Sequence, residues 1–235
     1  MMKAHHSHSY PLLSALLFFF FVTWSSSGSL LSIWLHQEVG LKAGDTGIIY
    51  AVLSVSALFA QVCYGFIQDK LGLRKHLLWY ITALLILSGP AYLLFGHMLK
   101  INVLLGSIFG GIYIGLTFNG GIGVLESYTE RVARQSQFEF GRARMWGSLG
   151  WAVATFFAGL LFNINPQLNF LVASCSGLVF FYSAGPAARL LGTACDAGGG
   201  FGRQGDPGRC AAPADAAALL GAGLLRHRHL HLRRL

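Results

Sequence analysis

The chain has 235 residues, of which 54% are hydrophobic and only 11% charged, and its formal net charge is +8. A soluble domain carries roughly 25% charged residues, so this composition excludes an ordinary water-soluble globular protein and points to a membrane protein. The basic excess lies in short clusters between long apolar runs, a topology pattern, and no basic face is long enough to track a nucleic-acid backbone.

A spanning helix needs about 20 mostly apolar residues. Six segments meet that requirement, approximately 11–35, 46–68, 77–97, 102–125, 145–163 and 167–185. The first resembles a signal peptide, because Lys3 precedes an apolar stretch from Pro11 to Trp24 and small residues follow from Ser25 to Gly28. Apolar character resumes from Leu30 to Leu35, however, which predicts an uncleaved first span after a short N-terminus of residues 1–10. The loop after the second segment carries Asp69, Lys70, Arg74, Lys75 and His76; the loop after the fourth carries Arg131, Arg134, Arg142 and Arg144. The remaining connections hold little charge: Glu38, Lys42 and Asp45 in one, Lys100 in another, and none across 163–166. The positive-inside rule therefore puts the N-terminus and both even loops in the cytoplasm.

On the fourth segment Gly106 with Gly110, and Gly111 with Gly115, each form a small-x-x-x-small step. Such steps let helix backbones approach closely, and they read either as packing or as a helix that slides or bends. Cys63, Cys175, Cys195 and Cys210 have neither zinc-ligand spacing nor a disulfide framework and read as structural. The histidine runs His5, His6, His8 and His227, His229, His231 are too short to be read as a metal site. From Ser183 to Leu235 the chain has no Ile, Val, Lys, Glu, Asn, Trp, Tyr or Met. Residues 186–235 are accordingly expected to be an irregular basic Gly/Ala/Arg-rich tail, read as out-of-frame translation of GC-rich DNA in preference to a disordered extension.

Two groups of residues carry chemistry. The loop motif Gly65-Phe-Ile-Gln-Asp69-Lys70-Leu-Gly72-Leu-Arg74-Lys75 brackets a turn with two glycines and sets one carboxylate among cations at a helix end. Asp69 can pair with a cation or cap the next helix, and the pairing can differ between conformations. The second group is Glu126, at the end of the fourth apolar run, with Arg144 and Trp151 on the fifth. Arg144 and Trp151 are seven residues apart, two helical turns, so they share a face. A carboxylate and a guanidinium at membrane depth must pair and face water. They read either as a structural ion pair or, with an indole beside them, as the hydroxyl-binding groups and apolar plate of a sugar site. Glu130 and Arg134, four apart, read as a solvated helix-face pair, and Arg131 and Arg142 as headgroup anchors.

These motifs resemble a known family. The loop motif matches the signature of the major facilitator superfamily. Together with Ser-Leu-Leu-Ser-Ile-Trp34-Leu-His36, Asp45-Thr-Gly-Ile-Ile and Phe138-Glu-Phe-Gly-Arg142-Ala-Arg144-Met-Trp-Gly, it is similar to the oligosaccharide:proton symporters, the lactose, raffinose, melibiose and sucrose permeases of enteric bacteria. The similarity runs from about Leu13 to Phe181. The resemblance implies an all-α membrane protein: the six-transmembrane-helix N-terminal half of that fold over residues 11–185, in the bacterial inner membrane, followed by the irregular tail. It implies that Glu126, Arg144 and Trp151 form the N-terminal half of a galactoside site, and that Ser148 stands where lactose permease has a cysteine close to the sugar. Residues Gly65, Asp69, Lys70, Gly72, Arg74 and Lys75 would serve the rocking motion. The stretch around Trp24 departs from the lactose permease pattern and looks nearer the sucrose permeases.

The implied function is proton-coupled uptake of an oligosaccharide by alternating access. The expected partners are the sugar, H+ as coupling ion and the lipid bilayer, with no nucleic acid and no other cofactor. The full-length family is expected to be monomeric. Ending where the first half of the fold finishes, the chain is expected to hold half a sugar site and not to transport alone. Rival readings are a half-size transporter that dimerises and a non-transporting sugar receptor. No nucleophile–base pair or metal set stands in a plausible cleft, so an enzyme is not expected.

Overall fold

In the computed structural model the backbone is described for residues 6–71 and 75–197, and the side chains for 9–67, 77–134 and 136–188. Over those residues the chain is helical, with no strand. The helices are α1 (His6–Gly28), α2 (Leu31–Gln37), α3 (Ala43–Leu71), α4 (Lys75–Ile86), α5 (Ser88–Ile101), α6 (Val103–Ile114), α7 (Gly121–Gln135), α8 (Phe140–Ile164) and α9 (Gln167–Ala197). A π-helical turn, Gly115–Gly120, joins α6 to α7 into one long element. Five elements are long and apolar enough to cross a membrane, and the bent pair α4–α5 makes a sixth. Each coincides with one of the six apolar segments of the sequence.

Three local features depart from plain spans. The third crossing bends by 60° between Ile86 and Ser88. Pro90 lacks the N–H that a continuous helix would use, and its ring clashes with the preceding turn. The neighbouring Gly89 N–H is satisfied from another helix, donating to Ser174 Oγ at 2.9 Å. Secondly, the fourth crossing contains the π turn, and its glycines serve two neighbours. A Cβ on Gly106 would meet Leu99 of α5, and one on Gly111 would lie 2.6 Å from Ser56 Oγ of α3. Thirdly, α9 continues twelve residues beyond position 185, through Pro186, to Ala197. Residues 198–235 lie outside the described residues, and so do the side chains of both histidine runs, Cys195 and Cys210.

The helix pair that positions everything else is α1 and α8. On α8 the buried residues are Ala143, Gly147, Gly150, Ala154 and Ala158, a stripe of small side chains at helical spacing. The α1 backbone lies directly against it: a Cβ on Gly150 would sit 2.6 Å from the Phe18 carbonyl oxygen. Hydroxyls close the seam, with Ser25 Oγ donating to the Trp151 carbonyl at 3.1 Å and sharing a hydrogen bond of 2.7 Å with Thr155. On its other side α1 meets α9 through Thr23 and Ser176, whose hydroxyls are 2.6 Å apart and fully or nearly buried.

Gly150→Leu should therefore force α1 and α8 apart and destabilise the protein by about 1–3 kcal/mol, the usual cost of overpacking. Gly159→Ala, on the same helix with nothing within 4 Å of the added carbon, should be neutral or stabilise by up to about 1 kcal/mol. Thermal unfolding in detergent, followed by circular dichroism, compares the two.

Candidate functional site

A second stripe runs along α8 beside the small-residue one. Arg144, Ser148, Trp151 and Thr155 are spaced at four, three and four residues, so one face of the helix carries a cation, two hydroxyls and an indole. The chain reverses direction just before it. Gln137 takes a left-handed φ of 55° at the end of α7, and the Phe138 N–H reaches back to the Ala133 carbonyl at 3.2 Å. That is the hydrogen-bond pattern of a helix-terminating turn. It sends α8 back along α7 and brings Arg144 to Glu126, eighteen positions earlier.

Arg144 Nε donates to Glu126 Oε1 at 2.5 Å, and the two side chains are 33% and 35% exposed. They are neither sealed in the core nor free on a surface. The guanidinium carbon also lies 4.5 Å from the centre of the Phe21 ring of α1, a cation–π contact. Because its Nε is engaged by the acid and its plane is backed by a ring, the guanidinium is held at one orientation, with further N–H donors left for a ligand. Trp151 is partly exposed. On its α1 side it meets Phe21 edge-on at 6.2 Å and Trp24 at 5.4 Å and 83°. Trp24 in turn stacks on Phe118 of the π turn, 5.6 Å away and nearly parallel at 10°. The result is an aromatic corner of two perpendicular indoles beside a fixed ion pair.

The structure pairs Glu126 with Arg144, links that pair to Trp151 through the Phe21 ring, and leaves Ser148 exposed on the same face of α8. Glu130 and Arg134 form the exposed i, i+4 pair expected from their spacing, at 2.5 Å. Of the loop motif, Gly65 lies on α3 with open space around it. Gly72 and Arg74 lie outside the described residues, and so do the side chains of Asp69, Lys70 and Lys75. Sequence reasoning missed Phe21, Phe118 and the position of Trp24 in the corner. Phe21 sits in a run of four phenylalanines that reads only as apolar. The one available signal was Trp24 itself, a bulky amphipathic ring set among serines in mid-span.

The model of the LacY proton/sugar symporter family matches residues 2–199. Among individual proteins, the lactose permease of Citrobacter freundii is 50% identical over 143 residues, which cover 60% of this chain and 34% of that protein. The sucrose permease of Escherichia coli is 41% identical over 172 residues, covering 73% of this chain and 41% of the relative. The melibiose permease of Enterobacter cloacae is 44% identical over 162 residues, covering 68% and 38%. This chain thus spans little more than two fifths, at most, of these relatives' length.

An ion pair that is one-third exposed contributes little to stability, and exposed pairs measure about 1 kcal/mol or less. A double-mutant cycle with Glu126→Gln and Arg144→Gln should return a coupling no larger than that in detergent unfolding. A coupling several times greater would mark a structural clamp instead of a ligand-facing pair.

Proposed function

The chain belongs to the LacY proton/sugar symporter family, and on that premise we propose that residues 11–188 form the sugar-binding N-terminal half of a proton-coupled oligosaccharide transporter. The observation that supports this reading is the junction of the Glu126–Arg144 pair with the Trp24–Trp151 corner. Sugar hydroxyls need donors and acceptors of fixed direction, and the C–H face of a pyranose ring needs a flat apolar partner. Arg144 donates to adjacent hydroxyls in a bidentate manner, Glu126 both orients it and accepts, and Trp151 carries the ring. Ser148 stands one turn from Trp151 at the entrance, and Trp24 limits how far a second sugar unit extends toward α1.

Proton coupling and alternating access are part of the same proposal, with H+ as the coupling ion and the loop motif Gly65, Asp69, Lys70, Gly72, Arg74 and Lys75 serving the rocking motion. The N-terminus is assigned to the cytoplasm, because the arginine-bearing α7–α8 connection lies at the same end of the bundle as the start of α1. Tyr10 meets Phe138 and Arg142 there.

Two measurements test the reading. In the full chain carrying Ser148→Cys, melibiose or an aryl galactoside should slow maleimide labelling of that cysteine, and adding Arg144→Lys should weaken the protection by roughly tenfold or more. In a chimera, residues 13–181 replace the matching segment of the E. coli sucrose permease. It should take up melibiose or sucrose when a proton gradient is imposed, and Arg144→Lys should abolish uptake. Labelling indifferent to every sugar tried would remove the basis for a binding site.

A further inference from the structure

Away from the sugar face, a crevice of about 330 Å³ lies along the N-terminal half of α1 beside Trp146 of α8, lined by Tyr10, Pro11, Ser14, Ala15, Phe18, Phe19 and Trp146. Its walls are apolar apart from its rim and Ser14. The rim is organised by Tyr10, whose hydroxyl accepts from Trp146 Nε1 at 3.0 Å while its ring lies 5.8 Å from the Arg142 guanidinium and edge-on to Phe138 at 5.6 Å. Arg142 and Trp146 are four residues apart and share one face of α8. Neither ion pair among the described residues uses Arg142. On α8 the crevice touches Trp146, near the exposed Met145, Leu149 and Val153, and neither Arg144 nor Trp151 lines it.

We propose that this crevice binds one anionic phospholipid, with an acyl chain along Pro11–Phe19 and the headgroup phosphate on Arg142. Two observations converge on a lipid. An apolar trough beside a membrane-spanning helix is wetted by hydrocarbon, not water. A tryptophan–tyrosine pair with a cation marks the depth of the headgroups. The positive charge of Arg142 selects a net-negative headgroup over a zwitterionic one. None of this depends on the sugar-site reading.

The test uses the full chain in nanodiscs of phosphatidylglycerol or phosphatidylcholine, each doped with the same lipid carrying a diazirine in its acyl chain. After photolysis, adducts are mapped by peptide mass spectrometry. Adducts should concentrate on residues 14–19 and 146, with phosphatidylglycerol favoured about fivefold, the worth of one basic side chain at an anionic surface. Arg142→Gln should remove that preference, and Ala15→Trp should fill the trough and remove the adducts while circular dichroism stays unchanged. Adducts spread evenly over the exposed faces of α3 and α8, or a preference that survives Arg142→Gln, would overturn the proposal. So would efficient disulfide pairing of two Ala15→Cys chains, which would give the crevice to a second copy.

Discussion

The close approach of α1 to α8 is the constraint on which the rest of the structure depends. On α8 the packing stripe of Ala143, Gly147, Gly150, Ala154 and Ala158 and the stripe of Arg144, Ser148, Trp151 and Thr155 lie on adjacent faces. Whatever sets the first also sets the direction of the second. Because no side chain intervenes, the α1 backbone comes near enough for Phe21 to lie beneath the Arg144 guanidinium and for Trp24 to meet Trp151. In lipid the hydrophobic effect does not drive helices together, so small-residue contact and hydroxyl bridges such as Ser25–Thr155 must hold the seam.

The π turn completes the other wall. Facing α3, the long fourth crossing presents Gly111, then Gly115, then Gly120 against Ser56, the Ser56 carbonyl and Tyr64. The spacing is four residues and then five. A regular helix would turn Asn119 toward Tyr64 at the third contact and advance every later residue by about 100°. The wider π turn absorbs the extra residue, keeps a glycine at the tight contact, and leaves Glu126 facing Arg144 where a regular helix would bring Leu125. Phe118, within the same turn, backs Trp24. A local irregularity thus supplies both the aromatic support and the phase of the acid, in keeping with the frequency of π turns at functional positions.

Much of this was legible in the sequence, for identifiable reasons. The six apolar segments could be read because a bilayer demands a fixed length of apolar chain. Arg144 and Trp151 could be assigned to one face because seven residues make two turns. Glu130–Arg134 followed from helical spacing alone. The glycine steps on the fourth crossing were read as packing or as a helix that slides or bends; the packing is there, with Gly106 and Gly111 seating different neighbours, and an irregular turn begins at Gly115. What escaped the sequence was relative rotation. Nothing in the phenylalanine run separates Phe21, under the guanidinium, from Phe20 in the core, since both are apolar and adjacent. Nor does composition reveal that Gly115–Gly120 is wound more loosely than its flanks. The bend beside Pro90 was likewise not read from the sequence, where 77–97 stood as one plain span; Ser174 accepts the Gly89 N–H there.

The distribution of polar groups gives the ion pair its meaning. Among the described residues no charged side chain is buried, and the buried polar groups include serine and threonine hydroxyls, Asn169 and the hydroxyls of Tyr64, Tyr92 and Tyr128. Several of the hydroxyls return a hydrogen bond to their own helix, as Thr82 does to Leu78, Ser107 to Val103 and Thr129 to Leu125. Such groups enter a membrane interior cheaply because their only donor is already satisfied. Charges behave differently: Glu38, Lys42, Asp45, Lys100, Glu130, Arg131, Arg134, Glu139 and Arg142 all lie in connections or near helix ends. Glu126 and Arg144 stand deeper than the charges around them, paired and one-third exposed. A pair meant only to join helices would be cheaper as two apolar side chains. Partial exposure inside a spanning bundle is sustainable only if the opening holds water when no ligand is present. Hydration is also what a sugar must replace, hydroxyl for water, so the same feature that makes the pair tolerable in the bilayer makes it suited to a polyhydroxyl ligand.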